Sequence, residues 1–164
     1  MEPVVRDARA DDATWIIRLL TEGAEQGHFA KTVAWQAPAL VSEILTKGQI
    51  LWTKIRGGMQ SPSHISARIR VAEIDNEPAS FMIVLTNDDE IELHLTATKK
   101  KHRRKGCFRA LVRDEIAMWT GREKLFARCY KKSTWAKDGL LSEGFTVSDL
   151  VEPVEFTLCQ DARR

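Results

Sequence analysis

Cysteine is scarce and poorly spaced for chemistry. Cys107, Cys129 and Cys159 are an odd set of three in 164 residues, with no C-x-x-C pair, which argues against a disulfide framework or a cysteine metal site. No apolar run approaches the roughly 18 residues that a membrane span needs. No cation-plus-apolar leader opens the chain, so the expectation is a soluble, cytoplasmic protein without membrane contact or metal. Internal repeats and low-complexity linkers are also missing. Residues 1–164 therefore read as a single domain, whose 43% hydrophobic content is enough for one core. An excess of charge of either sign is nearly absent overall, with 25 Lys and Arg against 23 Asp and Glu for a net +2, yet removing the six cations between 99 and 105 leaves −4. The positive charge is placed in one spot.

That spot lies in the most informative stretch, residues 90–111, EIELHLTATKKKHRRKGCFRAL. Residues 90–98 alternate, with Ile91, Leu93, Leu95 and Ala97 on one face and Glu90, Glu92, His94, Thr96 and Thr98 on the other, which predicts a half-buried strand. Lys99, Lys100, Lys101, Arg103, Arg104 and Lys105 then surround His102. Gly106 opens a segment in which Phe108, Leu111, Val112, Ile116 and Trp119 recur at helical spacing. A strand, a basic glycine turn and a helix start make an anion site, because free N–H groups and the positive end of the helix dipole face the same point.

Around it, residues 4–6 predict a first strand, and Asp11 or Asp12 a helix cap, with Gly23 and Gly27 weakening that helix's end. Residues 26–35 form a candidate binding loop, followed by a helix with Leu40, Val41, Ile44 and Leu45 as its stripe and Gly48 as its stop. Residues 50–55 predict a strand; Gly57, Gly58, Ser61, Pro62 and Ser63 predict a mobile turn; residues 65–74 alternate into a strand that turns at 75–78. The run ASFMIVL at 79–85 predicts a central strand covered on both faces. Beyond the basic turn and its helix come a strand at 125–130, a helix from a Ser133 cap to Leu141 with Gly144 behind it, a strand at 154–158 that could offer a dimer edge, and a charged tail. The sum is a mixed α/β domain, an antiparallel meander followed by a βαβ-like half.

Arg103-Arg104-Lys105-Gly106-Cys107-Phe108 resembles the acetyl-CoA-binding turn of the GNAT superfamily of N-acetyltransferases, Gln/Arg-x-x-Gly-x-Gly/Ala, with Phe108 where a small residue is usual. VVRDARADDATWIIRLL is similar to the family's first strand and helix. Ala136, Gly144 and Phe145 match its Asn-x-x-Ala-x-x-x-Tyr-x-x-x-Gly-Phe ending, while Ser133 and Leu140 replace the asparagine and tyrosine. The resemblance implies a GNAT-like fold with a central, mostly antiparallel sheet flanked by helices. It also implies acetyl transfer from acetyl-CoA to a primary amine by direct attack in a ternary complex. Residues 104–108 would then take the pyrophosphate, with Ser133 also on the cofactor side. Thr96, Ala97 and Thr98 would pair with pantetheine, Arg103 and its cationic neighbours would hold the remaining phosphate, and an amide near Ala97 would polarise the thioester.

Glu92 is the expected base, with His94 second because an ordinary imidazole titrates near about 6.5. Tyr130, the single tyrosine, is the candidate acid, with water as the substitute. Cys107 reads as a small buried hydrophobe whose thiolate the helix dipole and Lys105 would favour. The five tryptophans read mostly as packing. Asp88, Asp89, Glu90 and Glu92 predict a field favouring a cationic acceptor. Two other readings stand beside this one: a CoA-binding protein without turnover, and a nucleic-acid module using residues 99–105. The second is opposed by the lack of an accompanying aromatic stacking set.

Overall fold

The apolar run at 79–85 sits at the centre of the molecule because both of its faces are covered. In the computed structural model, which describes residues 1–56 and 59–159, and only the backbone between 53 and 61, it lies within a strand, Glu77–Thr86. In chain order the elements are β1 (Val4–Asp7), α1 (Ala13–Glu25), α2 (Val33–Lys47), β2 (Gln49–Arg56), β3 (Met59–Ile74), β4 (Glu77–Thr86), β5 (Glu90–Thr98), α3 (Cys107–Met118), β6 (Lys124–Cys129), α4 (Thr134–Ser142), β7 (Phe145–Asp149) and β8 (Val154–Leu158). They build one sheet in the order β1-β3-β4-β5-β6-β8-β7, with β2 also paired to β3. Among the described residues β5 and β6 are its parallel pair, joined through α3; the other pairings are antiparallel.

Phe81, Ile83 and Leu85 of β4 enter a core with α1 and α2, whereas Met82 and Val84 enter a second core with α3 and α4. Burial on both faces explains why this strand reads as a continuous apolar run. The turn before it is tighter than the sequence predicts: Asp75 and Asn76 both take positive φ, and Glu77 and Pro78 already belong to β4.

Other expectations change. Ser61, Pro62 and Ser63 lie inside β3, not in a turn, while Gly57 and Gly58, like the tail at 160–164, lie outside the described residues. Asp12 stands at the start of α1, but its carboxylate receives Arg6, the Arg9 N–H and the Trp15 indole instead of capping α1. Phe145–Asp149 is a strand with only Phe145 buried, so it shows no alternation in sequence. Because β8 lies between β6 and β7, it offers no edge for dimer pairing.

Gly23 is buried within α1 and does not mark its end. A Cβ there would stand 2.4 Å from the Phe29 ring, which packs the loop between α1 and α2 into that notch. Gly23→Ala should therefore destabilise the protein by about 1–3 kcal/mol in chemical denaturation, although alanine is the better helix former by about 1 kcal/mol.

Candidate active site

The site begins with an extra residue in β5. Ile83 pairs with Leu95 and the next residue, Val84, with Leu93, so His94 is bulged out of the ladder. The bulge sends Leu93 to the α3/α4 core and Leu95 to the α1/α2 core, where strict alternation had put both on one face. It also coincides with the parting of two strands. β5 pairs with β6 only from Glu90↔Lys124 to Leu93↔Ala127, so residues 94–98 face a gap.

The Lys99 N–H donates to the Ala79 carbonyl, which sets the phase of the β4–β5 ladder. With a period of two, Ala97 turns its N–H and C=O toward β4, and Thr96 and Thr98 turn theirs toward the gap. The amide on the open edge is thus that of Thr96 or Thr98, not of Ala97. Their side chains are held from behind, Thr96 Oγ1 donating to the Phe81 carbonyl at 2.7 Å and Thr98 Oγ1 lying 2.9 Å from Ser80 Oγ.

Beyond β5 the basic run divides. Lys99 lies over the Trp15 ring at 4.6 Å, Lys101 pairs with Glu77, and His102 turns inward, buried, with Nε2 3.4 Å from Glu77 Oε2. Arg103, Arg104, Lys105 and Gly106 are exposed. Arg104 and Gly106 take positive φ, 63° and 80°, which wraps the backbone around the start of α3. Among the described residues no protein group accepts from the N–H of Arg104, Lys105, Gly106 or Phe108. A Cβ on Gly106 would meet nothing within 4 Å, so the space over these donors is open. They form a concave cluster of N–H groups at the positive end of a three-turn helix, which suits a pyrophosphate.

Phe108 does not close that space. Its ring meets the Trp135 edge at 5.3 Å and lies over Gly139, whose added Cβ would come within 2.7 Å of it. The glycine in α4 therefore accommodates the bulk that α3 carries at its second residue.

Between the parted strands lies a cavity of about 190 Å³, lined among others by Glu92, His94, Thr96, Phe108, Tyr130 and Ser133. Six of the expected site residues thus surround one space, with Arg103 to Gly106 in the exposed turn beyond the end of β5. Cys107 is buried among α3 core residues, and burial pushes its thiol above the ordinary range despite Lys105. Cys129, which does line the cavity, is pushed up to about 11 by burial. Neither buried thiol is a ready nucleophile.

Glu92 is buried, with 9% exposure. Burial alone would raise its carboxyl, but the hydrogen bond and charge of His94, with Arg128 and Lys124 behind, hold it below the usual carboxylate range. His94 Nδ1 is 3.0 Å from Glu92 Oε1, and its ring stands edge-on to Trp52 at 5.4 Å. Trp52 therefore lines the site as well as packing. Across the gap, Ser133 does not cap its own helix; its Oγ is 2.9 Å from His28 Nδ1. His28 is held below its ordinary value by burial, then by Arg103 and Lys132. Leu140 is buried at 1% exposure and presents only an aliphatic wall. Sequence reasoning missed Arg128, an exposed residue of β6 that no local signal singles out. With Lys124 it makes the field beside Glu92 mixed, where the sequence alone suggested an acidic one.

A scan against protein-family models returns no match, and no curated protein sequence matches the chain. Solved structures do. PaiA N-acetyltransferase from Thermoplasma acidophilum in complex with coenzyme A aligns over 96% of this chain and 98% of its own, with a TM-score of 0.64 and 11% identity. The ribosomal-protein-S18-alanine N-acetyltransferase from Escherichia coli aligns over 95% and 92%, with 0.62 and 15%. An acetyltransferase of the GNAT family from Streptococcus pneumoniae aligns over 95% and 96%, with 0.57 and 11%. The chain has the GNAT acetyltransferase fold. The bulged strand, the gap and the N–H-lined turn all lie within this one sheet and its flanking helix. At these identities the likeness concerns the backbone, and the side-chain chemistry rests on this chain's own geometry.

Proposed function

We propose that this protein is an N-acetyltransferase that uses acetyl-CoA and a primary amine in one ternary complex. The observation that carries the proposal is the continuity of an unpaired β5 edge with a turn of free N–H groups, which together match an extended arm ending in a pyrophosphate. That PaiA N-acetyltransferase was solved with coenzyme A on the same fold supports the choice of ligand. Bound acetyl-CoA supplies a thioester whose carbon–sulfur bond breaks as the acceptor's nitrogen–carbon bond forms, the amine losing a proton and the sulfur leaving as thiolate.

The chain's residues divide that work. The N–H groups of residues 104–108 hold the pyrophosphate, and Arg103, Arg104 and Lys105 add charge-assisted contacts to phosphate. Thr96 and Thr98 offer main-chain pairing to pantetheine, and the amide of one of them polarises the thioester carbonyl. Glu92, ionised and fixed by His94, takes the amine proton directly or through water. Tyr130, on the cavity wall, gives a proton to the departing sulfur, a role water can also fill.

A CoA-binding protein without turnover is the second reading, favoured by Leu140, which leaves α4 without a phenol. A nucleic-acid module has less support, because Lys101 is paired, Lys99 lies over Trp15 and His102 is buried, which breaks the run as a surface stripe. Calorimetric titration with acetyl-CoA, with ATP and duplex DNA as controls, tests the donor site. Micromolar binding exceeding both controls is expected; equal weakness for all three, or salt-sensitive DNA binding alone, would remove the proposal. Binding without amine-dependent thiol release on any acceptor would establish the second reading.

A further inference from the structure

Arg128 stands at the rim of the cavity, its side chain 45% exposed and therefore open to an incoming group. Among the described residues its guanidinium makes no hydrogen bond, and its nearest carboxylate oxygens are Glu92 Oε2 at 3.9 Å and Glu155 Oε2 at 4.0 Å. Glu155 is already engaged through Oε1 by Lys124 at 2.7 Å and Ser148 at 2.9 Å. Glu92 likewise spends Oε1 on His94 and leaves Oε2 free. The guanidinium is held over the Phe126 ring, 5.3 Å from its centroid, which favours one plane for its fork of donors. A carboxylate oxygen and a guanidinium thus face each other as an ion pair at 3.9 Å, too long for a hydrogen bond between them.

We propose that Arg128 receives the carboxylate of the acceptor, and that the acceptor is a free α-amino acid. This rests on the acetyltransferase reading and specifies its second substrate. The ammonium group and the carboxylate of such a molecule are separated by one carbon, so it can meet Glu92 Oε2 with one end and the Arg128 fork with the other. The planar guanidinium matches a carboxylate in two parallel hydrogen bonds, which lysine could not reproduce. A simple amine would leave Arg128 unanswered at the mouth of the site, and a peptide N-terminus would offer it only a neutral carbonyl. Trp52 and Pro153 on the cavity wall provide apolar surface for the side chain.

The test compares acetylation of phenylalanine, tryptophan and methionine with that of their amides and their decarboxylated amines, following thiol release with acetyl-CoA saturating. The amide is the stricter control. An α-amino group beside an amide has a pKa near 7.7–8.0, lower than in the free acid, so more of it is neutral and chemistry alone favours it. Expected is a kcat/KM for at least one free acid ten-fold or more above its amide and its amine, mainly through KM. Arg128→Gln should bring that ratio to about one, and Arg128→Lys should restore only part of it. Acetyl-CoA affinity of each variant, measured by calorimetry, reports a folded donor site. Equal or better use of the amides or amines overturns the amino-acid proposal and leaves the acetyltransferase reading standing, as does acetyl-CoA binding with no transfer to any amino acid. Failure to bind acetyl-CoA at all removes both.

Discussion

Replacing Gly106 with aspartate should weaken acetyl-CoA binding by two orders of magnitude or more while leaving the protein folded. The fold tolerates the new atoms, since a Cβ on Gly106 meets nothing within 4 Å. Aspartate is also a good residue at a helix N-cap, where its carboxylate favours the dipole. The positive φ of 80° costs a non-glycine residue about 1–2 kcal/mol, which chemical denaturation would report separately. What the ligand loses is the approach of its pyrophosphate to the N–H groups of residues 104–108, together with neutrality at that point. Gly106→Ala adds the bulk without the charge and should lose less. Calorimetry of the pair against acetyl-CoA decides the matter, and unchanged affinity in the aspartate variant would remove the turn from the donor site.

Glu92→Gln should keep acetyl-CoA affinity and lower kcat at neutral pH by about 10²-fold, the lower end of what a positioned base supplies. Glutamine keeps the shape and an oxygen for His94 Nδ1, but it cannot take a proton. The pH dependence has a definite sign. His94, Arg128 and Lys124 hold the Glu92 carboxyl below its ordinary value against the opposing effect of burial. Wild-type Glu92 therefore stays ionised through the neutral range, and its charge is lost only as pH falls through that depressed value. Stability follows the same direction, because a carboxyl depressed on folding stabilises the native state above its unfolded pKa and ceases to do so as pH falls through its folded one. The expected acid limb of kcat/KM, which reports the free enzyme, therefore lies below the ordinary carboxylate range and is absent in Glu92→Gln. An acid limb close to neutrality that survives the substitution would transfer the role of base to His94.

The stretch from Glu90 to Leu111 was readable because each of its parts has a strong local signal: period two, a cation run, a glycine, then period 3.6. Its contents were less readable. One extra residue at His94 reverses the phase of everything after it, so alternation counted from Glu90 puts Leu95 and Ala97 on one face with Ile91 and Leu93, whereas the two pairs enter different cores. Nothing in a periodic pattern announces such a bulge, since each half remains regular. β7 escaped because four of its five residues are exposed, and its hydrogen bonds to β8 leave no trace in side-chain pattern. Ser133 has the composition of a cap, yet its hydroxyl belongs to His28, a partner that only tertiary structure supplies. Arg128 gains its meaning from what it lies near, Glu92 from a neighbouring strand and Phe126 beneath it, and from what it does not bond.

The link between His28 and Ser133 spans 105 residues of sequence in a single 2.9 Å contact. One side of the cavity comes from the loop between the first two helices, and the other from the last third of the chain. A fragment must run at least from His28 to Pro153 to contain every residue of the cavity wall. A piece ending after β5 would lack Tyr130, Ser133 and Arg128, and one beginning at β5 would lack His28 and Trp52. Proteolytic nicking or fragment expression should yield halves that are inactive alone, and activity regained on mixing them would report the docking of one half on the other.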